Sequence, residues 1–349
     1  MSDSKKVSAA IIGAGMVART HVAAIAAGDC VRLASICSRS GERAKALAVD
    51  AAELTGAPVD ATSDLSAVAA DASVDFAIIL TPPNARAEII RPLAQAGKHI
   101  LLEKPMGRTS DEAREVVQIC QDAGVALGVV FQHRMRAASI AAAKIIGSGD
   151  LGALGVVEIS VPWWRDQGYY DEPGRGTLSR DGGGVLISQA IHTIDLALSL
   201  AGPVKSVRAM AATTRFHDME AEDFVSAGFE FENGAVGSMV ASTASFPGGA
   251  ESITMHFDNA SLHLASGQLH INWRDGRSEV QGEAGGTGGG ADPMAFTHEW
   301  HQGIIEDFAE AITQGRDPVV TGQAALDAHD LIDATMRSAR SGQIEEISK

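Results

Sequence analysis

Up to about residue 130, short apolar runs alternate with segments of helical period. The runs Val7–Ile12, Val31–Ile36, Val74–Leu80, His99–Leu102 and Ala126–Val130 predict strands. The stretches Val17–Ala27, from Glu42 onward, Ala85–Ala96 and Asp111–Ala123 predict the helices between them. Strands that are apolar throughout are covered on both faces, so the repeated strand-helix units imply a parallel, doubly wound sheet. Beyond Gly155 the rhythm changes. Strand candidates at Val156–Val161, Val204–Ala212, Phe224–Phe231, Ala235–Thr243, Ser252–Phe257 and Ser261–Leu264 follow one another, with turn signals such as Glu232-Asn233-Gly234, Pro247-Gly248-Gly249 and Asp258-Asn259. These predict a mostly antiparallel sheet with a helix over 185–200 packed on it. Helices resume at Glu299–Gln314 and Gln323–Arg340, after a glycine-rich loop over 282–290. The fold class expected is an α/β domain over 1–133 and an α+β domain with a large open sheet over 134–349, the terminal helices being free to pack on the first domain.

One segment breaks the apolar pattern in an ordered way. Gly182-Gly183-Gly184 opens a helix on which Ser188, His192, Asp195 and Ser199 are spaced i, i+4, i+7 and i+11 and so share one face. Leu186, Ile187, Ile191, Ile194, Leu196 and Leu198 cover the rest. A helix apolar nearly all round is buried, and a buried histidine or carboxylate must be hydrogen-bonded or used. A satisfied core pair and a reactive pair both fit that stripe.

The turn Gly13-Ala14-Gly15-Met16-Val17-Ala18 follows the first strand and begins the first helix, the context that the dinucleotide fingerprint G-x-G-x-x-(G/A) requires. Gly13 permits the tight turn, Gly15 lets the backbone reach a pyrophosphate, and the helix N-terminus offers N–H groups to the anion. The second strand ends in Cys37-Ser38-Arg39-Ser40, with no acidic residue to bind a ribose diol. Hydroxyls and a guanidinium there suit a 2′-phosphate, which favours NADP(H) over NAD(H). Thr81-Pro82-Pro83-Asn84 makes a stiff turn after the third long strand, on the edge where open α/β sheets bind ligands.

Glu103-Lys104-Pro105 ends a strand on that same edge. There the Lys104 ammonium can stabilise alkoxide character on a substrate oxygen, Glu103 can hold it, and Pro105 biases Lys104 to an extended backbone. A surface Glu-Lys pair is the alternative. Trp163-Trp164-Arg165, Tyr169-Tyr170 and Arg175 suit a hydroxylated ring, apolar on its faces and polar at its rim, or else a core strand end with a lid.

Composition narrows the class. The 349 residues carry 28 Lys and Arg against 44 Asp and Glu, a net charge of −16 that argues against a nucleic-acid or anionic-membrane partner. No window approaches the ~20 apolar residues of a membrane span, and no signal-peptide core follows Met1, so a cytoplasmic protein is expected. Cys30, Cys37 and Cys120 read as reduced core thiols. The histidines lack metal-ligand spacings, so no metal is expected. His298 and His301 form the one pair of note, and a solvated helix start accounts for them.

Taken together, the G-x-G-x-x-A turn, Glu103-Lys104-Pro105 and the triple glycine with His192 and Asp195 resemble the Gfo/Idh/MocA family of glucose-fructose oxidoreductase and inositol dehydrogenase. Thr81-Pro82-Pro83, Gly97-Lys98-His99, Arg134, Asp307-Phe308 and Gly315-Arg316-Asp317-Pro318-Val319 extend the resemblance over nearly the whole chain. It implies an N-terminal Rossmann domain, a nicotinamide cofactor, reversible oxidation of a sugar or cyclitol hydroxyl, and homodimers or homotetramers. The cofactor residues would be Gly13, Gly15, Met16, Val17, Ser38, Arg39, Thr81, Pro82, Asn84, Glu103 and Lys104. The substrate side would be Lys104, Arg134, Trp163, Arg165, Ser188, Gln189, His192 and Asp195. Lys104 resembles the family's catalytic lysine, and His192 the histidine that exchanges the proton. Two departures stand out. Ser188 occupies the place of the aspartate that pairs with this histidine in inositol-dehydrogenase-like members, and Arg86 stands where many relatives have histidine. A redox-neutral glycoside-cleaving enzyme and a non-catalytic sugar-sensing protein remain alternative readings.

Overall fold

The computed structural model describes residues 6–283 and 297–347. Its chain packs as two units. Among the described residues, the first holds 6–107, 111–132 and 297–325, and the second holds 108–110, 133–283 and 326–347.

In the first unit, β1 (Val7–Ile12), β2 (Val31–Cys37), β3 (Asp60–Thr62), β4 (Phe76–Ile79), β5 (His99–Glu103) and β6 (Leu127–Val130) form one sheet in the order β3-β2-β1-β4-β5-β6. Every pairing is parallel. Ile11, Ile78, Leu101 and Val129 are buried, as strands covered on both faces require. Helices α1 (Ala18–Ala27), α2 (Gly41–Thr55), α3 (Leu65–Ala70), α4 (Arg86–Gln95) and α5 (Ser110–Asp122) form the connections. Ser40 caps α2 by accepting from the Arg43 N–H, and Gly56 ends it in the left-handed conformation. The three-residue β3 has no apolar run to betray it, being an Asp-Ala-Thr edge with Asp60 exposed and the other two half-buried. Strand order reverses between β1 and β4, which is the switch point where open sheets bind ligands. The ends of these two strands deliver Gly13 and Thr81.

The second unit is built on a nine-stranded sheet. Its strands are β7 (Leu154–Pro162), β8 (Val204–Ala212), β9 (Phe224–Phe231), β10 (Val236–Ser242), β11 (Ser252–Phe257), β12 (Ala260–Ala265), β13 (Gln268–Trp273), β14 (Ser278–Gln281) and β15 (Glu345–Glu346). The order is β14-β13-β12-β11-β7-β10-β9-β8-β15, and only β7 and β10 run parallel. Burial alternates along β11 and β12, so one face is covered. Helices α6 (Ala137–Ser148), α7 (Gln167–Tyr170) and α8 (Ile191–Ala201) belong to this unit, with α6 and α8 on the covered face. The remaining helices are α9 (Glu299–Gln314), which packs on α1 in the first unit, and α10 (Gly322–Ser341).

The predicted helix over 185–200 proves to be composite. Leu186–Ala190 form a π-turn that leads into α8. Such wide turns are frequent at functional sites. The glycine-rich loop lies, from residue 284 on, outside the described residues. No helix among the described residues is long and apolar enough to cross a membrane. Cys37 and Cys120 are buried, whereas Cys30 is only half-buried and therefore not the core thiol expected.

Candidate active site

The glycine turn has the geometry that its motif requires. Gly13 takes φ +114°, and a Cβ there would press on the Leu80 carbonyl carbon at 3.2 Å and the Thr81 nitrogen at 3.3 Å, so glycine is obligatory. Around Gly15 a Cβ would meet nothing within 4 Å, which leaves the backbone accessible to a ligand. No side chain caps the start of α1. The Ala18 and Thr20 N–H groups donate to the Gly15 and Val17 carbonyls within the turn, and the accessible glycine backbone ahead of the positive end of α1 fits a dinucleotide pyrophosphate. Met16 is 54 % exposed beside the turn, and Val17 is half-buried. Ser38 donates its N–H to the Thr62 carbonyl, which tethers the end of β2. Arg39, Pro82 and Asn84 are exposed. Thr81 carries a buried hydroxyl with no hydrogen-bond partner among the described residues, a group available to a ligand.

At the end of β5 the main chain of Lys104 is held from two sides. Its N–H donates to Glu103 Oε2 at 3.0 Å. The buried Arg86 guanidinium donates to the carbonyl oxygens of Thr81, at 3.0 Å, and of Glu103, and reaches that of Lys104 at 3.5 Å. Arg86 is therefore a clamp that ties the Thr81 turn to the lysine step. Burial pulls its guanidinium down to about 9 against the opposing charge of Glu103, and it stays cationic at neutral pH. The arginine departure noted in the sequence thus acquires a physical account.

Beneath the lysine, Glu103 Oε1 accepts from His21 Nε2 at 2.9 Å, and His301 Nε2 stands 3.7 Å from the same oxygen. The two imidazoles meet edge to face at 5.1 Å between ring centres. His301 is 1 % exposed, so the reading of a solvated helix start is corrected. It continues the stripe of Ile304, Ile305 and Phe308 on the buried face of α9. That i, i+3, i+4, i+7 pattern was the signal in the sequence that could have found it. The ligand atoms of His21, Glu103 and His301 lie within 4.8 Å of one another, a grouping of histidines and carboxylate that linear spacing could not show.

In the second unit, Asp195 forms a bidentate pair with Arg134, at 2.6 and 2.8 Å. Burial pushes the Asp195 carboxyl up, Arg134 pulls it back, and the net effect is a raised value. His192 is buried and stacks on His133 at 4.8 Å between ring centres. His133 Nε2 accepts from Arg136 at 2.7 Å, since a guanidinium can only donate, which places that ring's proton on Nδ1. Arg136 in turn pairs with Glu251, which also accepts from the Trp163 indole. His133, Arg136 and Glu251 were missed by sequence reasoning. Ser199 leaves the predicted buried stripe, because it is exposed and donates to the Leu196 carbonyl.

The arginine and aromatic residues gather beside the π-turn. Buried Arg165 lies 5.3 Å from the Trp163 ring and 5.7 Å from that of Tyr169. Gln189 donates to the Tyr169 hydroxyl at 3.3 Å, and its Oε1 is buried without a partner among the described residues. His217 bridges Asp223 and the Arg165 carbonyl, which fixes the arginine main chain. Ser188 is half-buried in the π-turn.

The Arg134–Asp195 pair makes a checkable prediction. Arg134→Met should destabilise the fold by about 3–5 kcal/mol, because one buried charge is stranded. The Asp195 carboxyl, already raised, would climb further. A raised acid contributes stability at low pH that is lost as pH rises through its folded value. Urea titrations should therefore show a larger deficit at about pH 8 than at about pH 5. An equal deficit at both would refute this assignment.

Residues 7–131 match the model described as oxidoreductase family, NAD-binding Rossmann fold, and residues 140–287 match the GFO/IDH/MocA C-terminal domain. The chain belongs to the Gfo/Idh/MocA family. It is therefore an oxidoreductase with an NAD-binding Rossmann domain. Inositol 2-dehydrogenase of Rhizobium meliloti is 27 % identical over 335 residues, covering 94 % of this chain and 95 % of that protein. D-xylose 1-dehydrogenase (NADP(+)) 2 of Haloferax volcanii is 25 % identical over 346 residues, covering 96 % and 97 %. Among solved structures, the WlbA dehydrogenase from Bordetella pertussis in complex with NADH and UDP-GlcNAcA superposes with a TM-score of 0.81 at 29 % identity, covering 99 % of this chain and 100 % of that one.

Proposed function

We propose that this protein oxidises a ring hydroxyl of a sugar, cyclitol or related polyol, reversibly, with NADP(H) preferred over NAD(H). The observation that carries the reading is the doubly held Lys104 at the C-terminal edge of the parallel sheet. The relatives' names support it, since a cyclitol, a pentose and a nucleotide sugar all offer a CH–OH group. The nicotinamide, when bound, supplies the carbon that accepts or returns the hydride. Gly13, Gly15, Met16, Val17, Ser38, Arg39, Thr81, Pro82, Asn84 and Glu103 would hold that cofactor.

Lys104 polarises the reacting oxygen, and His192 takes or returns its proton. Arg134, Trp163, Arg165, Ser188, Gln189 and Asp195 would face the substrate. Ser188 in place of a dyad aspartate removes the group that raises the basicity of the histidine, so inositol is not the assumed substrate. The protein is further proposed to be a cytoplasmic homodimer or homotetramer. The outer face of the large sheet supports association, for Val156 and its registered neighbour Val236 are both exposed there.

The test is a spectrophotometric screen of polyols, aldonates, pentoses and dihydrodiols with NAD+ and NADP+, run on the native protein and on Ser38→Asp. Net nicotinamide reduction is expected. The substitution should weaken NADP+ by roughly tenfold or more while leaving NAD+ little changed, since a carboxylate repels a 2′-phosphate. Product formation without net cofactor turnover would instead support the glycoside-cleaving reading. A cofactor that binds and never turns over would revive the sensor.

A further inference from the structure

Of the buried cluster of His21, Glu103 and His301, the two histidines lie outside every role assigned so far. All three side chains are buried. Glu103 accepts with one oxygen from His21 at 2.9 Å, an oxygen that His301 also approaches at 3.7 Å, and with the other from the Lys104 N–H, so its orientation sets where the lysine main chain begins. We propose that His301, together with His21, is a positioning residue for Lys104, acting by holding the Glu103 carboxylate in one orientation. This rests on the reading of Lys104 as the group that polarises the substrate oxygen.

Three observations carry the proposal. A carboxylate buried beneath a strand end has its oxygens divided between two tasks, and a lost donor on one side frees it to rotate. The 2.9 Å contact between His21 Nε2 and Glu103 Oε1 is a direct hydrogen bond, and among the described residues no fourth His, Cys, Asp or Glu joins the three. Hydrogen bonding therefore describes the cluster better than a bridging metal, whose structural sites are four-coordinate. Burial pushes the Glu103 carboxyl up, yet the hydrogen bond and charge of the two histidines outweigh it and hold it well below its ordinary value, while burial lowers His21. The arrangement is thus a carboxylate that accepts from the His21 ring, with His301 beside it and the Arg86 clamp on the far side of the same peptide. A site supported in this way keeps its reacting group within a fraction of an ångström, and loosening the support lowers turnover.

The experiment compares His301→Leu with His301→Gln, whose amide nitrogen takes the place of Nε2. With the substrate found by the screen, His301→Leu should lower kcat by roughly tenfold or more while KM, the NADPH dissociation constant and the melting temperature stay near native, and His301→Gln should restore most of kcat. Full activity in His301→Leu, or equal loss in both variants, would overturn the proposal. So would a stoichiometric transition metal in the purified protein whose removal abolishes turnover. A second readout needs neither variant. Imidazole nitrogen NMR of the native protein should show His21 neutral with its proton on Nε2 between about pH 6 and pH 8. A proton on Nδ1, or a cationic ring, would overturn the proposal, whereas an active Lys104→Ala would overturn only the reading of the lysine and leave the tautomer standing.

Discussion

Lys104→Ala is expected to lower kcat by roughly three orders of magnitude, about 4 kcal/mol of transition-state stabilisation, the scale set by loss of a preorganised donor to a developing oxyanion. The dissociation constants for NADPH and NADP+ should stay within about threefold of native, because a group that acts on the transition state adds little to ground-state binding. The reasons lie in the local structure. The lysine side chain begins from a main chain clamped by Glu103 on its N–H and by Arg86 at the carbonyls, so the ammonium is aimed before substrate arrives. Lys104→Arg should not rescue turnover, since a planar guanidinium does not reproduce a compact ammonium. Cofactor binding is read by quenching of nicotinamide fluorescence and turnover by absorbance. Turnover of Lys104→Ala within about tenfold of native would refute the assignment, whatever the fate of the cofactor.

The first unit was legible because its strands are covered on both faces. Val7–Ile12 and His99–Leu102 read as apolar runs, and their observed bounds differ by no more than one residue. What escaped were elements without an apolar signature: β3 at a polar edge, and β14, exposed along its whole length. In the second unit the alternation of β11 and β12 follows from a sheet with one covered face, and it could be read for the same reason. The π-turn could not. It arises where the Glu222 carboxylate accepts the N–H groups of Gly184 and Leu186, and that partner stands 38 and 36 residues away.

The candidate site divides along a similar line. Residues whose place depends on a local motif, such as Gly13 and Glu103-Lys104, were found from sequence. Those defined by whom they touch were not. Nothing in the sequence pairs Arg134 with Asp195, 61 residues on, or Arg86 with the carbonyl of Glu103, 17 residues on. His301 is an intermediate case. Its i+3, i+4 and i+7 neighbours mark it as buried, although it stands in the first turn of α9 beside the polar His298.

Gly184→Ala is expected to destabilise the second unit by about 3 kcal/mol or more, lowering the melting temperature by roughly 5–10 °C. Three consecutive glycines permit a close approach by cofactor or substrate. The structure provides a different neighbour, namely the chain itself. A Cβ on Gly184 would stand 2.7 Å from the Glu222 carbonyl carbon and 2.9 Å from its nitrogen, and nearer still to its carbonyl oxygen. These are main-chain atoms just before β9 that no rotamer change can move. The same segment is fastened by three hydrogen bonds, from Gly184 and Leu186 to the Glu222 carboxylate and from Val185 to the Glu222 carbonyl, so yielding to the methyl breaks the start of the helix that carries His192. Gly183→Ala is the control. Its Cβ would press only lightly on side-chain atoms, a methyl of Ile187 at 3.1 Å and Glu222 Oε2 at 3.8 Å, and should cost less than about 1 kcal/mol. If close packing of the chain is what requires glycine, thermal melts will separate the two variants widely. If the triplet is there for a bound ligand, both will melt near native and differ only in the binding of cofactor or substrate.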